Sequence, residues 1–435
     1  MKPNFPVLTT SLFLSIANCV SSGGLKSRGV YLTVSSYEGA LQKAGHFEIN
    51  WYGVDASLKN DTFAAVLRYA PSSRNWQSAS LYPVTTSVGR VRTSVKFPGY
   101  SAERLMTGDC LDYWAILLRF SVDRRDATVI DSSCLRGRPR WMHENCCHLS
   151  SLRLGELFLP GTHDSGMYLI RREWPIGDFI FTQDQPIVQQ LAFGIRSLDL
   201  RVGFTNGAFW IFHNKFKAQV TVESVLKQVR RFVETTGEIV LLDFHKFTLG
   251  FDPYIDPVDK RHRSLVQLIV KTLGGVVAPR LMLNNTVGEI LGVCGSVSAR
   301  NNQTVFVMYN YDYKGSHSEF LSPGVLQNWA DAQDLDHLVE YMEKHACKKV
   351  SGTLSSAQAE LTAKFPIQVD GLRELAQIVN FNITNLFRER YWKCTNIVAS
   401  DYFLGSGIIE LAVEANKVKG TMKEGLRKCA GDVTA

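Results

Sequence analysis

An all-β sandwich followed by a TIM-like (β/α) barrel is the fold this sequence predicts, and three observations predict it. The first is length: 435 residues are too many for one ordinary core, so two domains are expected. The second is a run of short alternating, β-branched segments in the first third: Gly29–Val34, Phe47–Tyr52, Thr62–Tyr69, Val91–Phe97 and Tyr113–Phe120. Turn residues separate them, as in a sandwich. The third is a change of period after about residue 150. Strands over Gly194–Val202, Phe209–His213, Ile239–Phe244, Val305–Asn310 and Ile397–Asp401 alternate with helical spacing over Val222–Thr235, Leu265–Leu273 and Leu335–His345. Ile239–Phe244 is almost wholly apolar, as a strand covered on both faces requires. Strand–helix alternation of this kind predicts a parallel sheet or barrel.

The expected organisation is a signal peptide over 1–22, the β-sandwich over 24–134, a basic linker over 135–150, the barrel over 151–420, and a tail over 421–435. Lys2 gives the N-terminus its positive charge and Val7–Ala17 its apolar stretch. Val20 and Ser22 are small enough for cleavage before Gly23. The apolar stretch is too short to span a membrane, which takes about 20 residues. Secretion is therefore expected, and two other features agree with it. Eight cysteines remain after Cys19, an even number, as disulfides require. Sequons stand at Asn60, Asn284, Asn302 and Asn382, candidate glycosylation sites. No Cys/His spacing points to zinc. The formal net charge of +7 suits anionic surfaces without the dense basic blocks of nucleic-acid binders.

The most informative stretch is Leu159-Pro160-Gly161-Thr162-His163-Asp164-Ser165-Gly166. It follows a strand-like apolar run, Leu154–Leu159, and Pro160-Gly161 is expected to turn the chain sharply out of it. An imidazole beside a carboxylate at a strand end is acid–base equipment. His163, Arg201, His213, Asp243 and Asp401 all fall at or near predicted strand ends, where (β/α) barrels carry their chemistry.

These segments resemble a known family. Pro160–Gly166, then Gly194-Ile195-Arg196-Ser197-Leu198-Asp199-Leu200-Arg201, then Ile211-Phe212-His213, are similar in order and spacing to the X domain of phosphatidylinositol-specific phospholipase C. Glu238–Phe244 and Asn396–Asp401 continue the likeness, which covers about Leu152 to Asn416. The resemblance implies an X-type barrel. It also implies cleavage of a phosphoinositide-like lipid at a membrane surface, by attack of the inositol 2-hydroxyl on phosphorus. Such cleavage needs a base, an acid and a cation. By resemblance, His163 is the base, His213 the acid, and Asp401 the orienting partner of His163. Asp164 would support His213, and Arg201 would grip the phosphoryl oxygens, which its fork suits better than a lysine does.

The same resemblance implies chemistry without a metal. The large eukaryotic signalling enzymes hold calcium with an Asn after the first His and with acids in the second motif. This chain has Asp164 and Arg201 there, so no cofactor is expected. Ser165, Asp243 and Lys246 are candidate substrate contacts. Two departures leave the headgroup open: Asn214 follows His213, and Asp243 falls about where bacterial members place a basic contact. A lysolipid or glycosylated lipid is the alternative substrate, and a lipid- or glycan-binding module the alternative to an enzyme. His245, Tyr311, Trp210 and Phe212 read as packing or surface residues.

Overall fold

A computed structural model describes residues 24–37, 45–55, 57, 61–71, 75–121, 126–168, 176–292, 302–363 and 371–424. The expected signal peptide, Asn60, Cys294 and Cys429 lie outside them.

The N-terminal strands pair antiparallel into two sheets. One has the order β1 (Gly29–Val34), β2 (His46–Tyr52), β5 (Gly89–Lys96). The other runs β4 (Tyr82–Pro83), β3 (Thr62–Leu67), β6 (Cys110–Phe120), β7 (Ala127–Arg136). Val30, Leu32, Phe47, Ile49 and Trp51 of the first share one buried cluster with Ala64, Ala115 and Leu117 of the second. A Cys110–Cys134 disulfide joins β6 to β7. β7 escaped sequence reading because its outer face is half exposed and its middle is polar, Asp131-Ser132-Ser133.

The segment expected as a linker is not one. It holds two short helices, Trp141–Glu144 and Cys146–Leu149, with Trp141, Met142 and Leu149 fully buried. Its Pro, Arg and Cys content looked like a linker in sequence, yet its apolar side chains belong to the second core.

The second half is a mixed α/β unit around a curled parallel sheet of half-barrel form. Its strand order is β14 (Leu321–Pro323), β13 (Val305–Tyr309), β12 (Val240–Phe247), β9 (Ser197–Thr205), β8 (Leu159–Thr162), β17 (Ile397–Ser400), β16 (Ser355–Gln358), β15 (Leu326–Asn328). A hairpin of β10 (Ala208–His213) and β11 (Phe216–Thr221) extends from β9. The helix Val222–Thr236 shows why these residues fold locally as they do. Thr221 caps its start by accepting from Ser224 N–H, and Gly237 at φ 71° ends it in a left-handed turn. Val225, Leu226, Val229, Phe232 and Val233 lie on its buried face.

Two expected boundaries move, each for a steric reason. Residues Leu154–Glu156 form a 3-10 turn, and the strand begins at Leu159 and runs through Pro160-Gly161. Pro160 is tolerated near the strand's start, where its missing N–H costs little. Gly161 serves close strand packing rather than a turn: a Cβ there would meet Ile397 at 3.1 Å and Ser197 at 3.3 Å. Gly194 is not part of β9 but ends the helix Ile187–Phe193 at φ 129°. The helices Leu372–Leu386 and Ile408–Glu424 were not expected. Among the described residues, no helix is long and apolar enough to cross a membrane.

Candidate active site at the strand ends

Parallel strands aim their C-terminal ends to one side, and that is where the titratable side chains collect. His163 follows β8 and Asp401 follows β17, and the two strands are neighbours in register, with Thr162 opposite Ser400. His163 Nδ1 lies 2.8 Å from Asp401 Oδ1. The Gln183 amide clamps both loops, donating to the carbonyls of His163 (3.1 Å) and Ser400 (2.9 Å). Asn380 holds the Asp401 carbonyl from the other side at 3.0 Å. The imidazole therefore has little freedom to turn.

The backbone is strained at the same places. Asp164 (φ 38°), Asn214 (φ 54°) and Tyr402 (φ 44°) immediately follow His163, His213 and Asp401, and all three are left-handed. Such non-glycine residues cost about 1–3 kcal/mol each and gather at functional sites. Each reverses the chain directly after the side chain it presents. Asn tolerates that conformation, which accounts for Asn214 after His213.

Arg201, on β9, closes the cluster. Its Nη2 stands 2.6 Å from His163 Nε2 and 3.1 Å from Asp199 Oδ2, and its Nε 3.8 Å from Asp164 Oδ2. His213 faces His163 across the site, with ring centroids 6.3 Å apart and planes at 89°. Its Nδ1 is 2.9 Å from the Ile180 carbonyl. A carbonyl only accepts, so Nδ1 carries the hydrogen and Nε2 is free for the site.

The expected support of His213 by Asp164 is therefore corrected. The Asp164 carboxylate accepts no hydrogen bond. Its neighbours are Arg201 and, through its own N–H, Asp199 Oδ2 at 3.1 Å. Asp164 sits at φ 38° with its carboxyl beside Arg201, while the ring nitrogen of His213 is bonded to the Ile180 carbonyl. Ser165 is also fully buried. Its hydroxyl donates to the Thr162 carbonyl (2.8 Å) and accepts from Thr162 Oγ1 (2.7 Å), so it secures the loop and is not open to substrate. Asp243 lies inside the sheet opposite Asp199 and is bonded by the Gln327 amide. Lys246 is paired in register with Arg201 but its side chain is exposed.

One residue of the cluster was missed entirely. Glu360, two residues past β16, is 4% exposed and places Oε1 4.0 Å from His163 Nε2. A lone Glu in Ala359-Glu360-Leu361 carries no motif, and only the topology reveals it. His245 also reaches the cluster, with a buried Nδ1 that has no partner and with Asp199 near enough to act on its charge.

Burial and charge then sort the protonation states. Burial disfavours the His163 imidazolium, but the Glu360 and Asp401 carboxylates outweigh that and push it up to about 9. Burial, with the positive charges of His163 and Arg201, pulls His213 down to about 3. Burial raises Glu360 to about 8, with the His163 charge opposing and Asp401 reinforcing. Of the Asp164–Asp199 pair, burial and its partner's charge push Asp164 up. Asp199 is held low because Arg201 overcomes its burial. Asp199 is thus the ionised member. Asp243 is raised well above the usual range by burial and by Asp199. The Arg201 contact at His163 Nε2 is one that only a neutral imidazole can accept, so it opposes the two carboxylates. An anion that drew Arg201 away would free Nε2.

Among the described residues, no three His, Cys, Asp or Glu side chains are arranged to hold a metal ion. A Cys347–Cys394 disulfide lies at the far side of the fold, ahead of β17. Asn284 and Asn302 are exposed, whereas Asn382 sits within a helix with its amide bonded to the Ile378 carbonyl at 2.8 Å.

No family model matches the chain. Among curated proteins it is similar to a PI-PLC X-box domain-containing protein of Dictyostelium discoideum, 27% identical over 38% of this chain and 23% of that one. The chain thus spans about a quarter of that relative's length. It is 24% identical to human PI-PLC X domain-containing protein 1, over 65% of this chain and 94% of the relative. Human PI-PLC X domain-containing protein 2 is 25% identical over 53% and 80%. Among solved structures, the phosphatidylinositol-specific phospholipase C of Staphylococcus aureus aligns over 64% of this chain and 97% of its own, with TM-score 0.49 and 14% identity. That of Listeria monocytogenes aligns over 64% and 98%, with TM-score 0.45 and 16% identity. The curated relatives of this chain are PI-PLC X domain-containing proteins.

Proposed function

We propose that the protein is a phosphodiesterase that cleaves phosphatidylinositol-like lipids at a membrane surface without a metal. The observation that carries this reading is the position of His163. It is held by Asp401 on one side, touched by Arg201 on the other, and faced by His213 at 6.3 Å. In the proposed reaction the phosphoryl oxygens draw the Arg201 fork off His163 Nε2. In the molecules whose His163 is neutral, a fraction that grows as pH rises toward 9, the freed nitrogen takes the proton of the inositol 2-hydroxyl, which attacks phosphorus. Asp401 stabilises the imidazolium that forms. His213 Nε2 gives a proton to the departing diacylglycerol oxygen, leaving a cyclic inositol phosphate. His213 is neutral in the empty site, and the phosphate's negative charge is what would let it hold that proton. Asp199 and Asp164 keep Arg201 in place. Arg201 occupies the position at which a cation would serve, which supports the metal-independent reading.

The test is one assay. Purified protein is incubated with phosphatidylinositol vesicles, with and without chelator, beside His163→Ala and His213→Ala. Release of water-soluble inositol phosphate is expected with or without chelator. No release from the wild type removes the reading, and loss of activity on chelation removes its metal-free part.

We also propose that the two N-terminal antiparallel sheets form a sandwich domain, that the curled sheet is an X-type barrel, and that the protein is secreted and glycosylated. The disulfides Cys110–Cys134 and Cys347–Cys394 support export. Finding the full-length chain, uncleaved and unglycosylated, inside expressing cells would remove that part.

A further inference from the structure

The loop that carries Asp401 is held from both sides, and one side belongs to the N-terminal sheet. Tyr402 follows Asp401 at φ 44°, a conformation that a bulky residue keeps only where its surroundings impose it. Its N–H donates to the Thr182 carbonyl (2.7 Å) and its hydroxyl to the Phe181 carbonyl (2.5 Å). Asn380 donates to its carbonyl at 3.2 Å. Arg373 covers the ring, with its guanidinium carbon 4.3 Å from the ring centroid. This arginine is buried and stands in the first turn of the helix Leu372–Leu386. Asp184 accepts from both its terminal nitrogens. On the N-terminal side, the Ser36 hydroxyl donates to the Arg373 carbonyl (2.8 Å), and the Ser36 N–H to Gln377 Oε1 (2.9 Å). A Cβ at Gly405 would stand 3.4 Å from the Val34 carbonyl, and one at Gly407 2.6 Å from the Tyr31 ring, so β1 lies against the same loop. None of these contacts touches a reacting atom, yet they converge on the residues just after Asp401.

We propose that Arg373 is a positioning residue: clasped by Asp184 and seated on the N-terminal segment at Ser36, it pins the Tyr402 ring and so sets Asp401 against His163. This rests on the reading of the site as a phosphodiesterase. It makes the N-terminal sheet part of the apparatus that aligns the base. The planar guanidinium clasps a carboxylate with its edge while its face lies on a ring, and a lysine can do only the first.

The experiment measures phosphatidylinositol cleavage and the NMR titration of His163 in wild type, Arg373→Met and Arg373→Lys. Arg373→Met should lower kcat about tenfold and leave KM within about twofold, the order expected when a desolvated cation–ring contact is lost. Against burial, Glu360 and then Asp401 hold the His163 imidazolium up, so a slackened Asp401 should move its titration to lower pH. Arg373→Lys, which keeps the Asp184 pair, should show both changes in smaller measure, about threefold in kcat. In a Tyr402→Leu background, Arg373→Lys should change neither any further. An Arg373→Lys enzyme with the kcat and His163 titration of the wild type overturns the proposal, because lysine would rescue a purely structural ion pair. An effect of Arg373→Lys that is the same with and without Tyr402 also overturns it. If Arg373→Met does not fold, the lysine variant and its Tyr402→Leu partner decide. Should the wild type cleave no lipid, the phosphodiesterase reading fails, and the His163 titration in Arg373→Lys still decides the positioning.

Discussion

The two ends of the parallel sheet each bury a cluster of charges, and they treat them in opposite ways. Before the strands begin, Arg196 and Glu238 are both fully buried. All the polar nitrogens of Arg196 are used, on Glu238 and on the carbonyls of Leu191, Ile195, Arg138 and Pro139. Glu238 is matched in turn, accepting the N–H groups of Met142 and His143 and the His143 ring. Where the strands end, Asp164 and Glu360 have no hydrogen bond at either carboxyl oxygen, and Arg201 Nε has none. A closed network fixes structure, because every desolvated group has recovered a partner. An open one holds energy that a ligand can recover. Both clusters lie within the resemblance drawn from sequence, and only the partner list tells them apart.

Substitutions at the two ends should therefore separate activity from stability. The largest effect is expected at the open end. His163→Ala and His213→Ala should each lower phosphatidylinositol cleavage by about 10²- to 10⁴-fold, the usual worth of a positioned acid or base. The folded fraction should stay near that of the wild type. At the closed end, Glu238→Ala strands a buried guanidinium and should cost about 3–5 kcal/mol in denaturant unfolding. Its activity per folded molecule should hold. If Glu238→Ala is instead a stable, inactive protein, the contrast between the ends is wrong.

A smaller effect tests the corrected role of Asp164. Because burial and the charge of Asp199 keep its carboxyl neutral beside Arg201, Asp164→Asn removes no charge and should change inhibition by myo-inositol 1-phosphate by less than about threefold. The His213 ring should keep its hydrogen bond to Ile180. An NMR titration in which Asp164→Asn shifts His213 as strongly as His163→Ala does would restore the older assignment.

What could be read from sequence follows from the range of each interaction. His163, Arg201, His213 and Asp401 were legible because each stands in a local motif at a strand end, and the structure brings all four together. Asp199 and Arg196 stand in the same motif as Arg201, but Arg196 precedes β9 while Asp199 and Arg201 fall two apart along it, on the face that enters the site. The partner of Asp164 was not legible, because its approach to Arg201 depends on β8 and β9 being neighbours. Glu360 was invisible, since its 4.0 Å approach to His163 depends on β16 and β17 being neighbours. For the fold, periodicity found the apolar buried strands β9, β12, β13 and β17 but not β16, Ser355-Ser356-Ala357-Gln358, which is buried yet polar. It missed β7, which is polar and half exposed, and it mistook the buried Trp141–Leu149 segment for a linker.

The subtlest contrast lies within the open end, between its two histidines. His163 is raised from 6.5 to about 9, so the folded protein binds this proton more tightly than the unfolded chain. Its contribution to stability is complete below pH 6.5 and is lost as pH rises through 9. His213 is lowered from 6.5 to about 3, so the unfolded chain takes up that proton first. Stability is lost on its account as pH falls below 6.5. From pH 6.5 to 5.5 that loss amounts to at most about 1.4 kcal/mol, one pH unit for one proton. Measured against wild type across pH, His213→Gln should therefore gain relative stability on the acid side. His163→Gln should show its deficit at pH 6 and lose it above pH 9. Carboxylates away from the cluster titrate alike in all three proteins and cancel in the differences, whereas Glu360, which the His163 charge lowers, rises further in His163→Gln. Unfolding curves that shift in parallel with pH would mean that the two rings sit in equivalent environments. The division of labour between a base held by Asp401 and an acid awaiting its phosphate would then have no electrostatic origin.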